Sequence, residues 1–247
     1  MKISGNTILL TGGSSGIGRE LARRWHDLGN TVIIASRNRD ALDKTAEGYE
    51  NIHVMILDAG KGADIGQFVR DAIEKFPAIN VLVNNAGIMK FEDITGSRDL
   101  SDAEAEIETN LLGPIRLIDG FIDHLKGQAD AAVINVTSGL AFVPLPKAAT
   151  YSATKAALHS YTVSLRAKLK DAVEVIEIAP PGVQTELTPG QSEREEYMPL
   201  DEFIDETMKQ FEAAETPPEV LTEPVKPFRH AERDGKFDDL LAMLATR

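Results

Sequence analysis

The chain has 247 residues, 43% hydrophobic and 26% charged, which suits one soluble domain with a sizeable core. Its net charge of −13 provides no electrostatic footprint for nucleic acid or an anionic membrane surface. Cysteine is absent, excluding disulfides and thiol chemistry, and the five histidines (His26, His53, His124, His159, His230) show no metal-ligand spacing, so no metal is expected.

The N-terminal stretch has too short an apolar run for a signal peptide and leads directly into a glycine loop. No stretch approaches the ~20 apolar residues of a membrane span, so a cytoplasmic protein is expected. Runs rich in Ile and Val at 7–11, 31–36, 53–58, 81–84, 132–137 and 173–179 read as buried strands. Amphipathic helices separate them. Ile17, Leu21, Trp25 and Leu28 mark the first, with Gly29 as its stop. Phe68, Ala72 and Phe76 mark another that ends at Pro77. Ile107, Leu111 and Ile115 mark a long helix with a bend expected at Gly113 and Pro114. Ala156, Leu158, Tyr161 and Leu165 mark the next. This alternation predicts an α/β fold, a doubly wound parallel sheet of at least six strands with helices on both faces, as one domain over 1–247.

Residues 186–224 differ in character, with five prolines and many acids. A helix over 200–214 carries a weak apolar face of Phe203, Thr207, Gln210 and Phe211. The segment is expected to be a mobile lid, with a packed surface excursion as the alternative.

The loop after the first strand contains Gly12, Ser14, Ser15, Gly16, Ile17 and Gly18 and opens the first helix. Such a loop lets backbone approach a pyrophosphate, and the helix N-terminus offers N–H groups and positive dipole to it. At the end of the second strand, an NAD site normally places an acid against the ribose 2′-OH. Here Ser36 holds that place and Arg37 follows, a residue able to grip a 2′-phosphate. NADP(H) is therefore favoured over NAD(H), against the alternative that Arg37 is a solvated loop cation. Asp58 ends the third strand, where it either accepts from the adenine amino group or caps a helix.

Tyr151 and Lys155 lie four residues apart, on one helix face, and Ser138 precedes the tyrosine by thirteen. A neighbouring ammonium favours a phenolate, so Lys155 is expected to lower the tyrosine pKa from near ~10 and fit it for general acid/base work.

The glycine loop, NNAG at 84–87, Asn110, Ser138, the Tyr151/Lys155 pair and PPGVQT at 180–185 occur together in an order and spacing that closely resemble the short-chain dehydrogenase/reductase family. Stretches such as YSATKAALHSYT resemble a bacterial oxidoreductase subgroup of it. The resemblance implies a Rossmann fold and an enzyme. It implies Tyr151 as general acid/base, Lys155 on the nicotinamide ribose and Ser138 on the substrate carbonyl. Asn110 would bend its helix and hold a relay water. Asn84, Ala86 and Gly87 would line the adenosine ribose, and Pro181, Gly182, Val183 and Thr185 would meet the nicotinamide end. A homodimer or homotetramer through the long helices is the family-like expectation. Many members end in a further strand, but 226–247 is charged and helical in pattern, leaving a seventh strand in doubt.

Between Ser138 and Tyr151, Phe142, Val143 and Leu145 predict an apolar substrate pocket, closed by Leu187 and the lid. No Arg or Lys is clearly placed for a substrate carboxylate or phosphate, with Lys147 as a candidate that could equally be exposed, so a neutral ketone, aldehyde or secondary alcohol is expected. The leading reading is an NADP(H)-dependent carbonyl reductase or alcohol dehydrogenase. A dinucleotide-binding regulator or scaffold without turnover and an NAD-linked alcohol dehydrogenase are the alternatives.

Overall fold

The structure, a computed structural model, describes residues 1–246. Among them seven parallel strands form one sheet in the order β3-β2-β1-β4-β5-β6-β7. The strands are β1 (Thr7–Thr11), β2 (Thr31–Ser36), β3 (Ile52–Ile56), β4 (Val81–Asn84), β5 (Ala132–Val136), β6 (Glu174–Ile178) and β7 (Glu219–Val220). The helices are α1 (Gly16–Asp27), α2 (Arg39–Ala46), α3 (Gly62–Lys75), α4 (Ser101–Ile107), α5 (Gly113–Lys126), α6 (Ala149–Leu169), α7 (Leu200–Phe211), α8 (Lys226–Arg229) and α9 (Phe237–Ala245). The expected doubly wound sheet is present. Chain order reverses between β1 and β4, which opens a crevice at their carboxyl ends.

Strand alternation divides the core. Ile8, Leu10, Val32 and Ile34 face one side with Leu21, Trp25 and Leu42 of α1 and α2. Leu9, Ile33, Leu82 and Val133 face the other, with Phe68 of α3 and Phe121 of α5.

The seventh strand that the sequence leaves in doubt exists, inside the 186–224 stretch. Its two residues are too few to show alternation, and the preceding Pro218 serves only as an acceptor, taking the Glu177 N–H at 3.0 Å. The lid expectation also narrows. Phe203, Ile204, Met208 and Phe211 of α7 are buried in the core, and Phe211 meets Trp25 edge-on at 5.7 Å. A helix anchored by four buried apolar side chains is part of the scaffold, which leaves 186–199 as the part of that stretch at the crevice.

A π-helical turn at Glu108–Leu112 interrupts the long helix between α4 and α5, containing Asn110 and ending directly before Gly113 and Pro114. Pro114 has no N–H for the carbonyl of Asn110, and the wider turn accommodates that gap.

Phe211→Ala should lower the unfolding free energy by about 3–5 kcal/mol, as for other buried aromatic truncations, in chemical denaturation. A loss below about 1 kcal/mol would return α7 to the role of a loosely held lid.

Candidate active site

The loop after β1 is pressed against the segment after β4. A Cβ on Gly12 would lie 2.8 Å from the Ala86 Cα, and one on Gly18 would lie 2.3 Å from the Gly12 carbonyl oxygen, so neither position admits a side chain. Thr11 fastens the two segments: its hydroxyl accepts from the Asn85 and Ala86 N–H groups at 3.1 Å each. Asn85 Nδ2 returns a hydrogen bond to the Thr11 carbonyl at 3.0 Å. Helix α1 starts here with no side-chain cap and no acid in its first turn. Its first N–H groups and dipole are thus available to an anion.

A cleft of about 660 Å³ runs along this edge. Of the residues expected at a cofactor, Ser14, Ser15, Gly16 and Ile17 line it at the loop. Ser36, Arg37 and Asp58 line it at the ends of β2 and β3, and Gly12, Ala86 and Gly87 on its floor. Pro181, Val183 and Thr185 line the far wall with Tyr151 and Lys155. Gly18 and Asn84 stand behind the wall. Asn84 is buried and donates to Asn135 Oδ1 at 2.9 Å, so Asn85 takes the cleft position instead. Gly182 lines the neighbouring cavity. Asp58 Oδ1 accepts from Gly60 N–H at 3.1 Å, an Asx-type turn rather than a helix cap.

The cleft fits a dinucleotide. Ser36 Oγ is buried and has no hydrogen-bond partner among the described residues. Arg37 beside it is exposed and in no ion pair among the described residues, whereas Arg39 is engaged with Asp43. An orphaned hydroxyl and an uncommitted guanidinium stand together where the ribose end of such a group would lie.

Farther along, Ser138, Tyr151, Lys155 and Asn110 come together, all buried. Ser138 follows β5, caps the short turn Gly139–Ala141 by accepting from Leu140 N–H at 3.1 Å, and shares both cavities with Tyr151. Lys155 Nζ donates to the Val136 carbonyl at 2.8 Å and lies 5.7 Å from the Tyr151 ring centroid. Asn110 sits in the π-turn. Its Oδ1 accepts from Ile88 N–H at 2.9 Å, and its Nδ2 donates to the Ile88 carbonyl at 2.8 Å and Thr154 Oγ1 at 3.3 Å. It therefore ties the segment after β4 to the helix that carries Tyr151.

Burial pushes the Tyr151 phenol up to about 12, against the hydrogen bond from Ser138, and the Glu106 charge adds to the rise. Burial likewise pushes the Lys155 ammonium down to about 8. The expected lowering of the tyrosine by the lysine is not what the folded chain contains. Lys155 is turned toward a backbone carbonyl, and desolvation of the phenolate dominates.

A second cavity of about 270 Å³ also touches Ser138 and Tyr151. Leu145 and Leu187 line it as expected. Phe142 and Val143 do not. The turn after Ser138 directs Val143 into the core and Phe142 against His159, ring centroids 5.0 Å apart. The remaining wall comes from Met89, Phe91, Tyr197, Phe228 and Leu244, distant in sequence and unsignalled by any motif. Lys147, the candidate cation, lines it, and Arg194 and Glu196, which the sequence did not single out, join it.

His159, Glu177 and Glu219, which no spacing linked, place ligand atoms within 4.8 Å of one another. Arg229 already holds Glu219 at 2.7 and 2.9 Å, so the group is an ion-pair network that fastens β7 and α8 to β6 and α6.

The family model described as short chain dehydrogenase matches residues 6–196. The uncharacterized oxidoreductase DltE of Bacillus subtilis (strain 168) is 47% identical over 189 residues, covering 76% of this chain and 75% of that protein. The 11-beta-hydroxysteroid dehydrogenase 1A of Arabidopsis thaliana is 29% identical over 192 residues, but this chain spans only 55% of its length. A short chain dehydrogenase from Burkholderia cenocepacia J2315, solved in complex with NADP, superimposes over 100% of both chains with a TM-score of 0.83 and 26% identity. Matched over most of its length in both sequence and structure, the chain belongs to the short-chain dehydrogenase/reductase family.

Proposed function

We propose that this oxidoreductase uses NADP(H) to interconvert a small carbonyl compound and its secondary alcohol, with Tyr151 as general acid/base. The observation that carries the reading is that Ser138 and Tyr151 both line the long cleft and the second cavity, so their hydroxyls stand where the two meet. The nicotinamide, when bound, supplies or takes the hydride. Ser138 and Tyr151 direct two O–H donors at one oxygen, stabilising charge that develops there. Burial keeps Tyr151 protonated, which suits it to give its proton to the nascent alkoxide. Lys155 and Asn110 hold the floor beneath it, and Lys155 has donors left for a ribose hydroxyl. Residues 186–199 act as the closing segment, bringing Leu187 over the second cavity.

Arg37 and Ser36 support NADP(H) over NAD(H), since an acid in that place would repel a 2′-phosphate. The NADP bound by the Burkholderia relative agrees with this preference. Exposed Ile107 and Val163 on the long helices support a homodimer or homotetramer. No helix among the described residues is long and apolar enough to cross a membrane, and a cytoplasmic setting accompanies this reading.

Titration with NADPH and NADH by nicotinamide fluorescence, then addition of mixed ketones and aldehydes, tests the proposal: tighter NADPH binding followed by oxidation is expected. Binding without oxidation across the panel would favour the regulatory alternative. Arg37→Ala should weaken NADPH binding at least tenfold more than NADH binding, and equal effects on both would remove the Arg37 assignment. Tyr151→Phe should keep NADPH affinity and lose about 10²–10⁴-fold in turnover. Residual turnover above a tenth of the parent rate would remove Tyr151 as the acid.

A further inference from the structure

The second cavity is apolar along most of its wall, yet a guanidinium faces it. Arg194 stands in the run Ser192-Glu193-Arg194-Glu195-Glu196, with three carboxylates within two residues. It pairs with none of them and forms no ion pair among the described residues. Its Nη1 donates to the Tyr197 hydroxyl at 3.2 Å, and its guanidinium carbon lies 5.3 Å from the Tyr197 ring centroid.

The backbone beneath it is held as firmly. Arg194 N–H donates to the Gln191 carbonyl, and its own carbonyl accepts from Tyr197 N–H at 3.1 Å and Gln184 Nε2 at 3.0 Å. Tyr197 in turn packs on Gly182, where a Cβ would come within 3.0 Å of its ring. The cation is thus positioned by an aromatic ring and a tight turn, and its charge is left for something else.

Lys147 lines the same cavity, its ammonium 4.7 Å from the Phe91 centroid. Glu196 lines it as well. The chain as a whole carries −13 and repels anions at long range. Arg194 places a positively charged side chain at this cavity in an otherwise acidic chain. Ser138 and Tyr151 line the cavity too, so one small molecule can contact both the proton donors and the guanidinium. The volume of about 270 Å³ falls just below the usual range of ~300–1,000 Å³ for ligand sites, which points to a small substrate.

We infer that Arg194 is a specificity-determining residue that binds a carboxylate, and that the substrate is a short oxo acid or the corresponding hydroxy acid. The guanidinium fork matches a carboxylate with two parallel hydrogen bonds, and the apolar wall accepts the methylenes between carboxylate and carbonyl. This inference rests on the carbonyl-reductase reading for its chemistry, but the binding claim stands separately from it.

The test uses 4-oxopentanoate, 5-oxohexanoate and 6-oxoheptanoate, each beside its methyl ester. Binding is measured by calorimetry to the protein with and without NADP+, and turnover is measured with NADPH. The parent protein should bind at least one acid ten times more tightly than its ester and show the same order in kcat/KM. Arg194→Gln should lower the acid-to-ester ratio at least tenfold, mainly through KM, and Arg194→Lys should restore part of it. Preferential acid binding that depends on Arg194, without turnover, would sustain the inference while overturning the reductase reading. Equal kcat/KM for acids and esters would sustain the reductase reading and overturn the inference. Failure of the parent to prefer any acid over its ester in binding would also overturn it.

Discussion

The active edge depends on how closely the loop after β1 approaches the segment after β4. Gly12 lies against Ala86 with no room for a Cβ, and the Thr11 hydroxyl accepts from two consecutive N–H groups across the seam. That contact sets the position of Gly87 and Ile88. Asn110 then grips both polar groups of Ile88 and reaches Thr154, whose hydroxyl donates to the Tyr151 carbonyl at 2.7 Å. Hydrogen bonds and one short stretch of backbone thus link the glycine loop at one end of the cleft with the helix that carries the tyrosine at the other. A shift in the first contact would be felt along that link.

The chemistry is assembled at a cost to the fold. A phenol, an ammonium and the Glu106 carboxyl are all buried within one neighbourhood, and burial disfavours the charged form of each. Glu106 retains one partner, the Lys90 N–H at 2.7 Å. Such arrangements are destabilising in themselves and persist when the surrounding scaffold holds them. Here the scaffold includes α7 on one face of the sheet, and the His159–Glu177 contact and the Arg229–Glu219 ion pair at the edge near the second cavity.

The legible parts of the chain were those whose signal is local. Six strands show as continuous Ile/Val runs, the glycine loop follows the first of them, and Tyr151 and Lys155 share a helical repeat. What was not legible depends on contacts between distant residues. β7 is two residues long and acquires its identity only by pairing with β6. The weak apolar face of α7 looked like that of a mobile cover until Phe211 met Trp25. Phe142 and Val143 sit in an apolar stretch between Ser138 and Tyr151, and only the turn at 139–141 reveals that they point elsewhere. Arg194 is hidden most effectively, because a cation flanked by three glutamates reads as a solvated run.

The most direct test of the central claim is the fate of the hydride. Reduction of a carbonyl substrate with NADPH deuterated at C4 of the transferring face, followed by mass spectrometry of the alcohol, measures it. The account predicts one deuterium on the carbinol carbon and none elsewhere. Oxidation of the dinucleotide that leaves the alcohol free of deuterium would contradict direct transfer at the Ser138–Tyr151 site.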